Sequence, residues 1–516
     1  LSLFILNHYL QWLQIQFFGI LIGTVAKTAI CHGLFSFICT GMTSMETNLY
    51  AQLADSLSQQ IREGLFRTGD KMPSVRRLAK REEVSISTVT TAYGLLEQWG
   101  WVEARPKSGY FVAHRQDEKL AIPRQVRMKP RPRAATTSEL VMEVQRDSAN
   151  QKGVSMSAAI PALDFPILGN VQRAFTRLSR TRKYLGVGYD APEGLPEFRQ
   201  QIARRAVDAG VHVSPDEIVS TAGCQNAMAL GLRVLTQPGD IIALESPCYY
   251  GLIQMAEAFG LKVIEIPAHH DTGISVEALK LALEKWPIKA LVSVATFSNP
   301  LGSIIPDDRK QELMALLERY DVPMIEDDIY GELYFGDRRP KSVKAYDRDG
   351  RVLLCSSVSK TIDPQLRVGW IMPGRYLEKV THQKFIQQVS GSTLPQMVTA
   401  EIMAQGAYDR HLRQARETYR MRSQQLVDLI SQHFPEQTRL SRPKGGLVAW
   451  VELPDQVNTT ELYHRGRSQN LTIAPGEIFS ASGQYKCCFR INFAQGWSPE
   501  RVAAIQTFGE WIRESL

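Results

Sequence analysis

Apolar residues at Leu49, Leu53, Leu57 and Ile61 recur every fourth position and predict a helix with one apolar face. Gly69-Asp70 and Pro73-Ser74 interrupt that pattern. A short second helix is predicted over Val75–Arg81, and Glu83-Val84-Ser85 reads as a tight turn with Ser85 capping a third helix. Val89, Ala92, Tyr93 and Leu96 would bury one face of the third helix, leaving Ser87, Thr88 and Thr91 outward. Two strand-like runs follow, 100–104 and 109–112, joined by Arg105-Pro106-Lys107-Ser108. Two helices across a tight turn, with small hydroxyl side chains near the start of the second, make the geometry that reads a major groove. The cationic hairpin reads as a wing. A protein-docking module has the same outline.

Residues 114–155 show no sustained periodicity. Pro123, Pro130 and Pro132, with seven cations against two acids between Arg115 and Ala134, predict a flexible basic linker; 139–146 has room for one or two helical turns. From 156 the chain alternates apolar strand runs with amphipathic helices, which predicts an α/β sheet wrapped by helices. The expected strands are 218–220, 241–244, 262–265, 290–293, 323–326 and 352–354. The body is expected at 156–516, with a large lobe to about 395 and a smaller α+β lobe from about 396, including a helix near 460–467. Residues 1–42 are apolar and nearly uncharged, yet Asn7, His8, Gln11, Gln14 and Gln16 break them up, and 20–25 is too short to span a bilayer. With Met42 and Met45 just ahead of well-patterned protein, we read this leader as a mis-assigned upstream start, a membrane anchor being the alternative. The reader is then expected at 46–113.

Charge sharpens this division. The net charge of +7 is concentrated early: residues 43–134 hold 16 Lys/Arg against 10 Asp/Glu, while everything after 134 holds 43 of each. A basic front on a neutral body favours a polyanion partner for the front, and Arg76, Arg77, Arg105 and Lys107 fall where phosphates would lie. The seven cysteines form neither a paired framework nor a metal-spaced pair, which fits a reducing cytoplasm and no metal site.

The candidate chemistry is spread along the body. Lys360, in Ser356-Ser357-Val358-Ser359-Lys360, follows an apolar strand run; desolvation there would favour a neutral, nucleophilic amine, and Arg367 seven residues on has the chemistry to hold a phosphate. Taken alone it is equally a surface lysine. Gly223-Cys224-Gln225 precedes a helix expected over 227–235 and would offer backbone N–H groups to an anion, or make a mere turn. Tyr249 after one strand, Asn299 before a proline, Asp327 at a strand end and Arg490 within an apolar strand each have a plainer reading. The ordered set decides. Polar groups cluster after successive strands, where open α/β sheets bind ligands, and they supply a phosphate cradle, an aromatic plate, a buried acid, an imine-forming lysine and a carboxylate-binding arginine. That inventory suits pyridoxal 5'-phosphate.

The stretch KMPSVRRLAKREEVSISTVTTAYGLLEQWGWVEARPKSGYFV resembles the winged helix-turn-helix of GntR-type bacterial regulators over 49–112. The resemblance implies that Arg76 and Arg77 hold phosphates, that Ser85, Ser87, Thr88 and Thr91 face double-stranded operator DNA, and that Lys107 and Gly109 approach its backbone or minor groove. From about Ser157 onward the ordered set resembles fold-type I aminotransferases. That implies Lys360 as the Schiff-base lysine and Asp327 as partner of the pyridine nitrogen, in preference to Asp328. It implies Tyr249 stacked on the ring and Asn299 and Tyr330 on its phenolic oxygen. It also implies Gly223, Cys224, Gln225, Ser357 and Arg367 on the phosphate, and Arg490 on an amino acid's carboxylate. Tyr189, in Tyr189-Asp190-Ala191-Pro192-Glu193-Gly194, resembles the tyrosine that reaches a neighbouring subunit's phosphate, implying a homodimer. The fusion resembles MocR-type regulators: a cytoplasmic transcription factor whose body senses pyridoxal phosphate or an amino compound reactive with it, with no membrane partner and vestigial or partial transamination. The alternative is a working aminotransferase with an accessory DNA-binding domain.

Overall fold

The computed structural model describes residues 49–62, 64–106, 108–113, 120–126, 130–135, 139–149, 153–181 and 188–516. The expected leader and Lys107 lie outside them. The chain divides into two compact units, a small reader and a large body.

The reader comprises α1 (Leu49–Arg62), α2 (Val75–Arg81), α3 (Ile86–Gln98) and a two-stranded wing, β1 (Val102–Arg105) and β2 (Gly109–Val112). Leu57, Leu78, Val89, Ala92, Tyr93 and Leu96 are fully buried and form its core, whereas of the predicted first-helix face Leu49 is 57% exposed and Ile61 half-buried. Ser74 caps α2 and Ser85 caps α3, each side chain accepting from a backbone N–H three residues on. Tyr93 stacks on Tyr110 of the wing at 4.6 Å and donates its hydroxyl to the Pro73 carbonyl at 2.6 Å, tying α3 to both neighbours.

The body's strands are β3 (Arg133–Ala134), β4 (Val154–Ser155), β5 (Val219–Thr221), β6 (Ile241–Ser246), β7 (Lys262–His269), β8 (Gly273–Ile274), β9 (Ile288–Ser293), β10 (Met324–Asp327), β11 (Val352–Ser357) and β12 (Gly369–Met372). All but β4 join one sheet in the order β3-β7-β6-β9-β10-β11-β12-β5, with β8 on β7. Strands β7 to β11 along that path run parallel, and β12 is antiparallel to both neighbours, so β5 again points the way of β11. Alternation along each strand divides the core between the two faces. Ile242, Leu244, Val263 and Ile325 pack on one side, and Ala243, Ile264, Ile266 and Met324 on the other. Beyond the sheet a smaller lobe pairs β13 (Arg439–Leu440), β14 (Val448–Glu452), β17 (Cys488–Asn492) and β16 (Ala474–Pro475), while β15 (Leu471–Thr472) takes β4. No helix of the described residues is long and apolar enough to cross a membrane.

Two expectations change. The flexible linker is in large part docked on the body. Strand β3 adds to the sheet edge through Val263 and Lys262. Arg124 pairs with Glu452 and Asp455. Residues 139–149 form three turns of helix (α4) that bury Val141 and Val144. The apolar spacing of Leu140, Val141 and Val144 carries that helix; the surrounding prolines and charges obscure it. The lobe boundary expected at 395/396 falls inside a helix, Thr393–Ala404, and β4 joins the small lobe from the segment assigned to the linker.

Candidate functional site

The sheet order brings four strand ends together. Strands β5, β6, β10 and β11 all finish at the same edge, where chain leaving them carries Gly223, Tyr249, Asp327 and Lys360. There a cavity of about 380 Å³ is lined by Lys360, Asp327, Tyr249, Tyr330, Asn299 and Arg490, with Cys224, Gln225, Ser357 and Arg367 at one end.

Lys360 donates its Nζ to the Ala159 carbonyl at 2.6 Å. Burial, reinforced by the positive charge of Arg490, lowers its pKa to about 8 despite the opposing pull of Asp327. Asp327 lies at the end of β10, and burial raises it to about 6. One of its oxygens accepts from Cys224 Sγ and from the Ile329 N–H, both at 3.1 Å. Asp328, next in sequence, faces away and is ion-paired with Arg339. Tyr249 and Tyr330 have their hydroxyl pKa values raised by burial, and Asn299 Nδ2 stands 3.5 Å from the Tyr330 hydroxyl.

Arg490 is buried within β17, its guanidinium 5.9 Å from the Tyr250 ring and 5.0 Å from the Phe479 ring. Its Nη1 donates to Asn299 Oδ1 at 2.9 Å and its Nη2 to the Ser157 carbonyl, while Nε has no partner among the described residues. Among the described residues no carboxylate pairs with this buried cation, which leaves it chemically suited to an anion.

At another part of the cavity wall a helix start meets Arg367, a make-up suited to an anion. Helix α5 (Cys224–Leu235) begins three residues before the predicted start, so its first N–H groups lie at Cys224, Gln225 and Asn226. Gly223 precedes it at φ +91°, and a Cβ there would stand 2.7 Å from the Arg367 guanidinium. Only glycine satisfies both constraints. Arg367, itself left-handed at φ +51°, donates Nη2 to the Ala222 carbonyl at 2.6 Å. Ser357 Oγ accepts from the Ser359 N–H at 3.2 Å. Cys224 departs from the expected phosphate role in one respect: its side chain turns to Asp327, leaving its backbone for the cradle. Tyr189 is 85% exposed and does not line the cavity of its own chain.

Residue-type reasoning missed the backbone acceptors Ser157 and Ala159, because any residue offers a carbonyl. It also missed Gln145 and Ser148 of α4, which line the same cavity.

In the reader, Arg76 and Arg77 are exposed on α2, and Ser87 and Thr91 on α3, with Thr88 half-buried. Ser85 is occupied as the cap: its oxygen accepts from the Thr88 N–H at 3.0 Å and meets the Ser87 and Thr88 hydroxyls at 2.8 and 2.7 Å. Gly109 opens β2 at φ +103°. Arg105 pairs with Glu103 of its own strand at 2.6 Å.

Residues 170–507 match the aminotransferase class I and II family, and residues 49–112 match the bacterial regulatory proteins of the gntR family. The chain is 42% identical to the HTH-type transcriptional regulator YjiR of Escherichia coli, over 90% of this chain and 99% of that one. It is 35% identical to YdcR of the same organism, again over 90% and 99%. Among solved structures it resembles the multiple substrate aminotransferase of Thermococcus profundus (TM-score 0.67, 26% identity, 74% of this chain and 96% of that). It also resembles LysN, the alpha-aminoadipate aminotransferase of Thermus thermophilus, complexed with N-(5'-phosphopyridoxyl)-L-leucine (TM-score 0.68, 26% identity, 73% and 95%). With a DNA-reading fold at one end, an aminotransferase fold at the other and regulators as full-length relatives, the chain belongs to the MocR-type transcription regulators of the GntR family.

Proposed function

We propose that the body binds pyridoxal 5'-phosphate at Lys360 and senses amino compounds that react with it, and that the reader carries the outcome to operator DNA. One observation carries this: a lysine of lowered pKa, a buried acid and an arginine with a free Nε line a single cavity that ends in a helix-start anion cradle. The residues fit the group at each end. The N–H groups at the start of α5 and Arg367 would hold the phosphate, with Ser357 and Gln225 beside them. Tyr249 would cover the ring, Asn299 and Tyr330 would bond its phenolic oxygen, and Asp327 would face its nitrogen.

Bound there, the group supplies an aldehyde for amines and an electron-accepting ring. Lys360 would supply a neutral amine as nucleophile toward that aldehyde and, when free, a base to move a proton. Asp327 would supply a negative charge to the ring nitrogen. Arg490 orients a carboxylate by exchanging its Asn299 and Ser157 contacts for a bidentate pair. None of these steps requires turnover, so the same atoms serve a sensor.

On this reading the protein is a cytoplasmic homodimer: Tyr189 is available to a second copy's phosphate, and two readers match a two-fold operator. In the reader, Arg76 and Arg77 contact phosphates. Ser87, Thr88 and Thr91 meet bases, Ser85 positions them, and Lys107 and Gly109 approach the backbone. Footprinting on the protein's own upstream DNA, with and without pyridoxal phosphate, tests the whole: a footprint altered by the cofactor supports it, and no footprint on any promoter fragment refutes it. The complete inventory also favours a second reading, an active aminotransferase. The Thermus thermophilus 2-aminoadipate transaminase, 28% identical over 70% of this chain and 89% of its own, keeps that reading in view. Sustained exchange between an amino acid and a keto acid at about 1 per second or faster would establish it.

A further inference from the structure

The aminotransferase family match begins at residue 170, yet five residues lining the Lys360 cavity precede it: Gln145, Ser148, Ala158, Ala159 and Ile160. Two of these stand on α4, the helix that ends the segment leading from the reader. The helix is fixed on its other sides. Val141 and Val144 are buried, and Asp147 takes the Tyr463 hydroxyl at 2.5 Å and Arg467 Nε at 2.8 Å. Ser148 Oγ meets Ser157 Oγ at 2.7 Å, and the Ser157 carbonyl is one of the two acceptors of Arg490. Helix α4 is therefore joined by consecutive hydrogen bonds to the group that would take a ligand's carboxylate. Gln145, exposed at the cavity edge, has a carboxamide that both donates and accepts.

We propose that Gln145 is a specificity-determining residue for the effector: with the α-carboxylate on Arg490, the effector's side chain extends toward α4, and a polar tip is selected by the Gln145 carboxamide. The ligand class is an amino acid with a hydrogen-bonding side chain. This rests on the reading of the cavity as a cofactor and effector site. It also assigns a purpose to docking the connecting segment, since one wall of the ligand site then belongs to the chain that leads to the reader.

The test uses the full-length protein loaded with pyridoxal phosphate and follows its visible absorbance during titration with L-glutamine, L-glutamate or L-leucine, which are similar in length but differ at the tip. Gln145→Leu should raise the half-saturating concentration for glutamine or glutamate by up to about tenfold relative to leucine, the share of one net hydrogen bond. Cofactor retention should not change. A relative preference identical to the wild type overturns the proposal while leaving the site reading intact. A wild-type spectrum indifferent to every amino acid overturns both. Arg490→Met is the companion variant: it should weaken all three ligands alike, and selective loss of glutamine and glutamate there would assign the preference to Arg490 instead.

Discussion

The lowered pKa of Lys360 has a direct kinetic consequence. At about pH 7.5, an amine with an ordinary lysine pKa is neutral about one part in a thousand, whereas a pKa of about 8 leaves about a quarter neutral. The neutral amine is the nucleophile, so capture of an aldehyde at Lys360 should be faster by roughly 200-fold than at an exposed lysine of equal access. The assay is the initial rate at which apoprotein mixed with pyridoxal phosphate gains visible absorbance, followed across pH. The rate should fall about tenfold per pH unit below the midpoint and level off above about 8. Lys360→Ala should abolish the signal. Two further variants fix the cause. Arg490→Gln removes a nearby positive charge, so the midpoint should move up; Asp327→Asn removes the negative charge that stabilises the ammonium, so it should move down. A midpoint near the ordinary lysine value, or both variants shifting it the same way, would refute the reasoning.

Other consequences can be checked separately. In the apoprotein burial raises Asp327 to about 6, so below that value the carboxyl must give up its proton before it can balance a protonated ring nitrogen. The affinity of the apoprotein for pyridoxal phosphate, measured by absorbance titration, should therefore weaken as pH falls through about 6 for the wild type, and this dependence should be lost in Asp327→Asn. Arg76→Ala should weaken binding to every DNA sequence and reduce the slope of log affinity against log salt by about one per reader, measured by fluorescence anisotropy. Thr91→Ala should instead relax sequence preference with the salt slope unchanged. Arg124→Ala should speed hydrogen exchange over 120–126 with little change in thermal stability, because that ion pair is half exposed.

The reader was legible almost residue by residue. Its helices are short, its core positions follow the 3.6-residue period, and its capping serines lie next to the turns they close, so local chemistry suffices. The body's strands were legible as apolar runs. The antiparallel β12 was not expected as a separate strand, because Val368 to Met372 reads as a continuation of the lysine loop until β5 and β11 are seen to flank it. Helix α4 was expected only as one or two turns over 139–146, because its apolar face is three residues wide and is surrounded by cations and prolines.

The sequence by itself determined which residue types were available: a lysine after a strand, an acid at a strand end, a glycine before a helix and an arginine inside a strand. These follow from patterns a few residues long. Tertiary structure alone decided which of them meet. The preference for Asp327 over Asp328, already implied by the resemblance, has its physical reason only here, in the Arg339 that holds Asp328. The Cys224 thiol turns to the acid rather than the cradle. The carbonyls of Ser157 and Ala159, more than 200 residues from Lys360 and Arg490 along the chain, complete the site. Those contacts depend on strand order and on the docking of distant segments, and a desolvated pocket exists only once they have closed around it.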